Sequence, residues 1–186
     1  MSKIQLLPVG DVDRRLLIEL SRWLSQEFGH PCDVLDANLD PEFAFHSDRG
    51  QYHSTEILAR MRSFASVDCW RLLGVTARDL YIPILTFVFG EAQMSDACAL
   101  VSFHRLRQEF YGLPPDDESL RERLGKEAMH ELGHTLGLTH CDNYDCVMAS
   151  SHAVEWIDVK GSAFCDVCRS RLAGADRTNV ASQVSR

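Results

Sequence analysis

The chain has 186 residues, of which 45% are hydrophobic, and a formal net charge of −8 at pH 7. That length suffices to bury one sizeable core, and no apolar run is long enough to span a membrane. The 19 basic residues include only three lysines and are scattered, apart from Arg14 with Arg15 and Arg105 with Arg107, which argues against a nucleic-acid surface; the acidic balance mainly supports solubility.

In chain order, residues 4–9 read as a short strand leading into a helix capped by Asp11. That helix sets Leu16, Leu17, Leu20, Trp23, Leu24 and Phe28 at helical spacing and ends at Gly29, with Pro31 beyond. A second strand is expected at 32–35. The segment 36–53 carries Pro41, Gly50 and several polar residues, so it reads as a surface loop. A second helix over 54–64 places Ile57, Leu58, Met61 and Phe64 on one face. Strands follow at 70–76, 85–89 and 98–104, rich in apolar or β-branched residues, with 78–83 linking or extending them. Strands interleaved with helices imply an α/β sandwich around a mixed, mostly parallel twisted sheet, as one compact domain over 1–172. Residues 173–186 are small and polar and read as a flexible tail.

A long helix is expected over 116–136. Leu120, Leu124, Ala128, Leu132 and Leu136 recur every four residues as its packing stripe, and Ser119 with Glu122 has the spacing of a capping box. Its end holds the most informative stretch of the chain, HELGHTLGLTH, from His130 to His140. His130 and His134 are one turn apart, so their rings project side by side towards one metal. Glu131 is offset by about 100° around the helix, which directs its carboxylate beside the metal as a proton acceptor for water. Gly137 can adopt the left-handed conformation that ends a helix and lets His140 swing back as third ligand. Three imidazoles leave zinc an open position, where water ionises near pH ~7 and a carbonyl can be polarised.

Four of the seven cysteines fall in the last quarter: Cys141, Cys146, Cys165 and Cys168. Two thiol pairs separated by 18 residues suit a closed, tetrahedral zinc site. The alternative is a pair of disulfides. The opening MSKIQLLPVG lacks the apolar core of a secretory signal, so a cytoplasmic location is expected and thiolates are favoured, although intracellular disulfides of hyperthermophiles keep the alternative open. Cys32, Cys69 and Cys98 read as small buried hydrophobes. His30, His46, His53 and His104 have no ligand spacing and read as solvated or hydrogen-bonded structural residues.

The string HELGHTLGLTHCDNYDCVM, followed sixteen residues later by CDVC, resembles the archaemetzincin family of zinc metallopeptidases. The matching motif runs from His130 to Cys168. The family's last spacer is one residue longer than here, a difference a loop absorbs. The resemblance implies a metzincin-like fold whose antiparallel edge strand, near 87–92, borders the cleft and can pair with a peptide by strand addition. It implies two zinc ions: a catalytic one on His130, His134 and His140, with Glu131 as general base and acid, and a structural one on Cys141, Cys146, Cys165 and Cys168. Met148 matches the methionine that packs beneath the catalytic zinc. Some relatives in the wider clan place a tyrosine soon afterwards; here ASSHAVEWIDVKG has none, leaving His152 and Trp156 as the nearest polar candidates.

The expected function is therefore a zinc-dependent peptidase acting on a peptide or protein, as a monomer without nucleic-acid or membrane partners. Two alternatives belong to other classes: a non-catalytic zinc-binding interaction protein, and a zinc hydrolase of non-peptide amides. Glu131 speaks against the first, because a purely structural zinc needs no such carboxylate.

Overall fold

Strand β1 (Lys3–Val9) is apolar on both faces, with Ile4 and Leu6 packing into one cluster and Leu7 and Val9 into another, so it needs cover on both sides. The elements that follow supply it: α1 (Arg14–Phe28), β2 (Cys32–Val34), β3 (Phe45–His46), β4 (Gln51–His53), α2 (Ser54–Met61), β5 (Cys69–Thr76), β6 (Leu80–Tyr81), β7 (Gly90–Ala92), β8 (Cys98–Ser102), α3 (Asp117–Thr135) and α4 (Val154–Val159). Residues 166–172 are also helical. This computed structural model describes residues 2–94 and 96–172, and the expected tail at 173–186 lies outside the described residues.

The main sheet has the order β2-β1-β5-β8-β7. All its pairings are parallel except the last, in which the edge strand β7 runs antiparallel to β8 with Gly90 opposite Val101. Helices α1 and α3 cover the face that carries Ile4, Leu73, Val75, Ala99 and Val101, and α2 covers the face that carries Leu7, Leu72 and Leu100. The fold is thus a single compact α/β domain, as expected. The two covering helices meet closely: a Cβ on Gly125 would stand 0.8 Å from Cζ3 of Trp23.

Several local expectations need correction. Asp13, not Asp11, caps α1, its carboxylate accepting from the Arg15 N–H at 2.9 Å. The expected loop at 36–53 contains β3 and β4, which join β6 in a second sheet of order β3-β4-β6; strands of two or three residues carry no periodic signal. Residues 85–89 form no strand beyond an isolated bridge of Val88 to Leu80. Their aromatic alternation serves a cleft wall instead, with Phe87 and Phe89 edge to face at 5.1 Å. The capping box does not form. Asp116 caps α3 by accepting from the N–H groups of Glu118 and Ser119, and Glu122 pairs with Lys126 at 2.8 Å; a carboxylate is a stronger acceptor than the serine hydroxyl it displaces.

Candidate metal centre and active site

Helix α3 delivers His130 and His134 to one side, with their Nε2 atoms 3.1 Å apart. The helix stops where Leu136 leaves helical geometry and Gly137 takes φ 88°, so the chain turns back and returns His140. One nitrogen from each of the three rings then lies within 4.8 Å of the others. Tetrahedral zinc with nitrogen ligands needs separations of about 3.3 Å, so the set can close on an ion with small side-chain shifts. Two of the rings are aimed from behind. His130 Nδ1 hydrogen-bonds the Val147 carbonyl at 2.9 Å, and His134 Nδ1 that of Leu138 at 2.7 Å. A carbonyl only accepts, so both Nδ1 atoms carry the proton and both Nε2 lone pairs face the shared space.

Burial pushes the pKa of His130 well below the usual imidazole range, with Lys160 adding to the shift; His134 and His140 are lowered by burial too. All three rings are therefore kept neutral, the form that ligates a metal. Glu131 moves the other way. Burial, then the neighbouring Glu127, raises its carboxyl well above the ordinary carboxylate range. One turn earlier on the helix, Glu127 meets Lys160 at 2.7 Å, an ion pair buried on both sides, and Lys160 Nζ also reaches the Ala149 carbonyl at 3.4 Å. Sequence reading did not single out this pair. The available signal was that Lys160 is one of three lysines and Glu127 lies one helical turn before Glu131.

Glu131 and the three histidines line a cleft of about 480 Å³ whose opposite wall includes β7. The approach of that wall is very close. A Cβ on Gly90 would fall 2.6 Å from both Cγ and Oε1 of Glu131, so only glycine leaves the carboxylate its place. Met148 is fully buried, and its sulfur lies 2.4 Å from where a Cβ on Gly133, the residue before His134, would be. The methionine sits in a turn closed by Ala149 N–H on the Cys146 carbonyl at 2.9 Å. His152 also lines the cleft, with the half-exposed Trp156 edge-on to it at 5.5 Å.

Cys141, Cys146, Cys165 and Cys168 come together with all sulfurs within 4.8 Å. Cys141 to Cys165 and Cys146 to Cys168 are each 3.8 Å. A disulfide would be about 2.05 Å, whereas the edge of a zinc tetrahedron with thiolate ligands is about 3.8 Å. The four are free thiols, and their spacing fits a metal. The loop is tied to the histidine centre, because Cys141 N–H donates to the Met148 carbonyl at 3.0 Å. Of the remaining cysteines Cys98 is buried, while Cys32 and Cys69 are only partly so.

A profile of peptidase family M54 matches residues 31–174. The chain belongs to that family. The archaemetzincin of Methanocaldococcus jannaschii is 42% identical over 170 residues, covering 91% of this chain and 92% of that protein. That of Thermococcus kodakarensis is 35% identical over 178 residues, covering 92% and 96%. Among solved structures, a zinc-dependent peptidase from Methanocorpusculum labreanum superposes with a TM-score of 0.83 at 34% identity, covering 91% of this chain and 99% of that one. The archaemetzincin of Archaeoglobus fulgidus complexed with malonate gives 0.79 at 38% identity, with the same coverage. Membership of family M54 makes the chain a zinc metallopeptidase, a hydrolase of peptide or protein substrates. Among the described residues no helix is long and apolar enough to cross a membrane.

Proposed function

We propose that the chain cleaves peptide bonds with His130, His134 and His140 holding a catalytic zinc, Glu131 moving the protons, and Cys141, Cys146, Cys165 and Cys168 holding a structural zinc. The observation that carries the reading is the convergence of three neutral imidazoles, two of them locked by backbone carbonyls, in the cleft that also takes Glu131. Zinc bound there supplies a Lewis acid for the scissile carbonyl and brings the ionisation of water from near pH ~16 to near ~7. The carboxylate of Glu131 accepts the proton of the attacking water. It passes that proton to the leaving amine. The outer edge of β7 is the last strand of the sheet, and an extended substrate adds to it, which draws the peptide past Glu131.

The same reading takes residues 1–172 as one catalytic unit that works as a monomer, with no membrane or nucleic-acid partner. Four free thiols at zinc spacing suit the reducing cytoplasm. Glu131 weighs against a purely structural protein, because a structural zinc needs no carboxylate in the cleft that the three histidines line. The test is Glu131→Ala. It is expected to retain zinc and lose turnover of a peptide library, and hydrolysis equal to the parent would overturn the assignment. In the parent, a zinc-chelating hydroxamate should abolish cleavage.

A further inference from the structure

Besides the two groups already described, metal-ligating side chains gather in one other place among the described residues. His46 at the end of β3, His53 at the end of β4 and Glu56 in the first turn of α2 bring one donor atom each to within 4.8 Å of the others. Sequence spacing gave no hint of this, because it is the β3–β4 hairpin that pairs His46 with Gln51 and so brings the ring of His53, two residues further on, to 5.8 Å from that of His46. His46 Nε2 lies 3.5 Å from Glu56 Oε1, and His53 Nδ1 lies 2.8 Å from the same oxygen. Ligands on a tetrahedral zinc are about 3.3 Å apart, so the carboxylate need swing by only a few tenths of an ångström, and the two ring nitrogens, within 4.8 Å of one another, need to close to that spacing. Glu56 is half-exposed and free to do so, while His53 is largely covered.

A second observation concerns orientation. Tyr81 Oη is 2.6 Å from His46 Nδ1. With the phenol oxygen accepting from Nδ1–H, the Nε2 lone pair points at Glu56, the backing arrangement that histidine metal ligands require. The ring of Tyr81 also stacks on His53 at 5.2 Å, so one tyrosine positions both imidazoles.

We infer that His46, His53 and Glu56 form an additional site for a divalent cation of the zinc class, open to water at its remaining position. Two imidazoles and one carboxylate suit zinc-like ions better than magnesium or calcium, which prefer oxygen donors. The positive end of α2 opposes a cation, and the charge of Glu56 offsets it. Binding would tighten the cleft rim, since the turn of this hairpin carries Arg49, which donates to the carbonyls of Leu85 and Thr86 at 2.9 and 3.1 Å. On the other side, Thr55 Oγ1 donates to Glu91 of β7 at 2.9 Å. The alternative is a metal-free imidazole–carboxylate pair.

The experiment is equilibrium dialysis of the full chain against buffer holding micromolar free zinc at pH 7.5, with metal counted by mass spectrometry. The parent is expected to carry one equivalent more than His46→Ala and one more than Glu56→Gln. The double variant should lose that same single equivalent, not two. Equal zinc in all four proteins, or an extra equivalent appearing only at millimolar zinc, would overturn the site. Glu56→Gln keeps the shape of the side chain, so it answers the question if His46→Ala fails to fold. The count is independent of peptidase activity, and a parent that gains this equivalent yet cleaves nothing would refute the proposed function while leaving this site intact.

Discussion

Lys160 reaches from the end of α4 to within 2.7 Å of Glu127, and both side chains are almost fully buried one helical turn behind Glu131. Removing one partner of such a pair leaves an uncompensated buried charge, which typically costs about 3–5 kcal/mol. Lys160→Met is therefore expected to lower unfolding stability by that order in urea titrations. Adding Glu127→Gln should return a large part of the loss, because the remaining charge is neutralised. Additive losses in the double variant would mean that the two residues act separately.

Gly90 offers a way to disturb the carboxylate without touching any candidate ligand. In Gly90→Ala the new methyl group would collide with Glu131 at 2.6 Å and with the Leu100 carbonyl at 2.7 Å, so the flexible carboxylate must move. A displacement of about 1 Å at a reacting group can cost on the order of 100-fold in rate. We expect a fall in kcat of that order with zinc content close to the parent, and some loss of melting temperature because the Leu100 carbonyl belongs to the backbone of β8 and must give as well. Unchanged kcat would argue that Glu131 is not the proton carrier.

Acid should weaken the fold when the histidine centre is stripped of metal and the four-cysteine cluster is left loaded. The folded-state pKa values of His130, His134 and His140 are all lowered from 6.5. A lowered imidazole pKa means that the unfolded chain binds more protons, so stability is full above about 6.5 and is lost as pH falls below it. Glu131 has a raised pKa and works in the opposite direction, contributing stability that is lost as pH rises. Three imidazoles against one carboxyl leave a net loss on acidification, checked by urea midpoints at pH 7.5, 6.5 and 5.5. A midpoint that rises on going to 5.5 would contradict these environments.

Thiol reactivity should single out Cys165. The backbone N–H of Cys168 brings the pKa of Cys165 down to about 7, whereas burial raises those of Cys146 and Cys168. In zinc-stripped protein, brief alkylation at pH 7 is expected to label Cys165 first, and zinc should protect it. Peptide mapping reads the order. Cys165→Ser should in turn lose about one equivalent of zinc and stability, since a structural zinc contributes directly to folding.

Much of this was legible because it is local. The spacing of His130, Glu131, His134, Gly137 and His140 encodes its own geometry on one helix end, and α1, α2 and β5 each carry enough periodic apolar residues to announce themselves. The elements that escaped are those defined by distant partners. Strands β3, β4 and β6 are two or three residues long and exist only through pairing with one another. On α3, Arg123, Lys126 and Glu127 look like a solvated face yet are buried. Asp158 takes Arg123 at 2.6 Å, the Ile157 carbonyl takes Lys126 at 3.0 Å, and Lys160 takes Glu127. Helix α4 and the residue that caps its end provide those partners, and the helix has only six residues, too few for a helical pattern. Charged residues satisfied from another element cannot be told from exposed ones by periodicity.

The adjacency of His140 and Cys141 has a consequence for how the peptidase could fail. On the proposed assignment, His140 inherits its position from a loop whose next residue belongs to the four-thiol cluster and whose backbone is fastened to Met148. Peroxide, or a thiophilic ion such as mercury or cadmium, would reach the cluster through the partly exposed thiols of Cys141 and Cys165. Losing that knot would free the third histidine, so proteolysis would respond to oxidative and heavy-metal stress through residues that take no part in breaking the peptide bond.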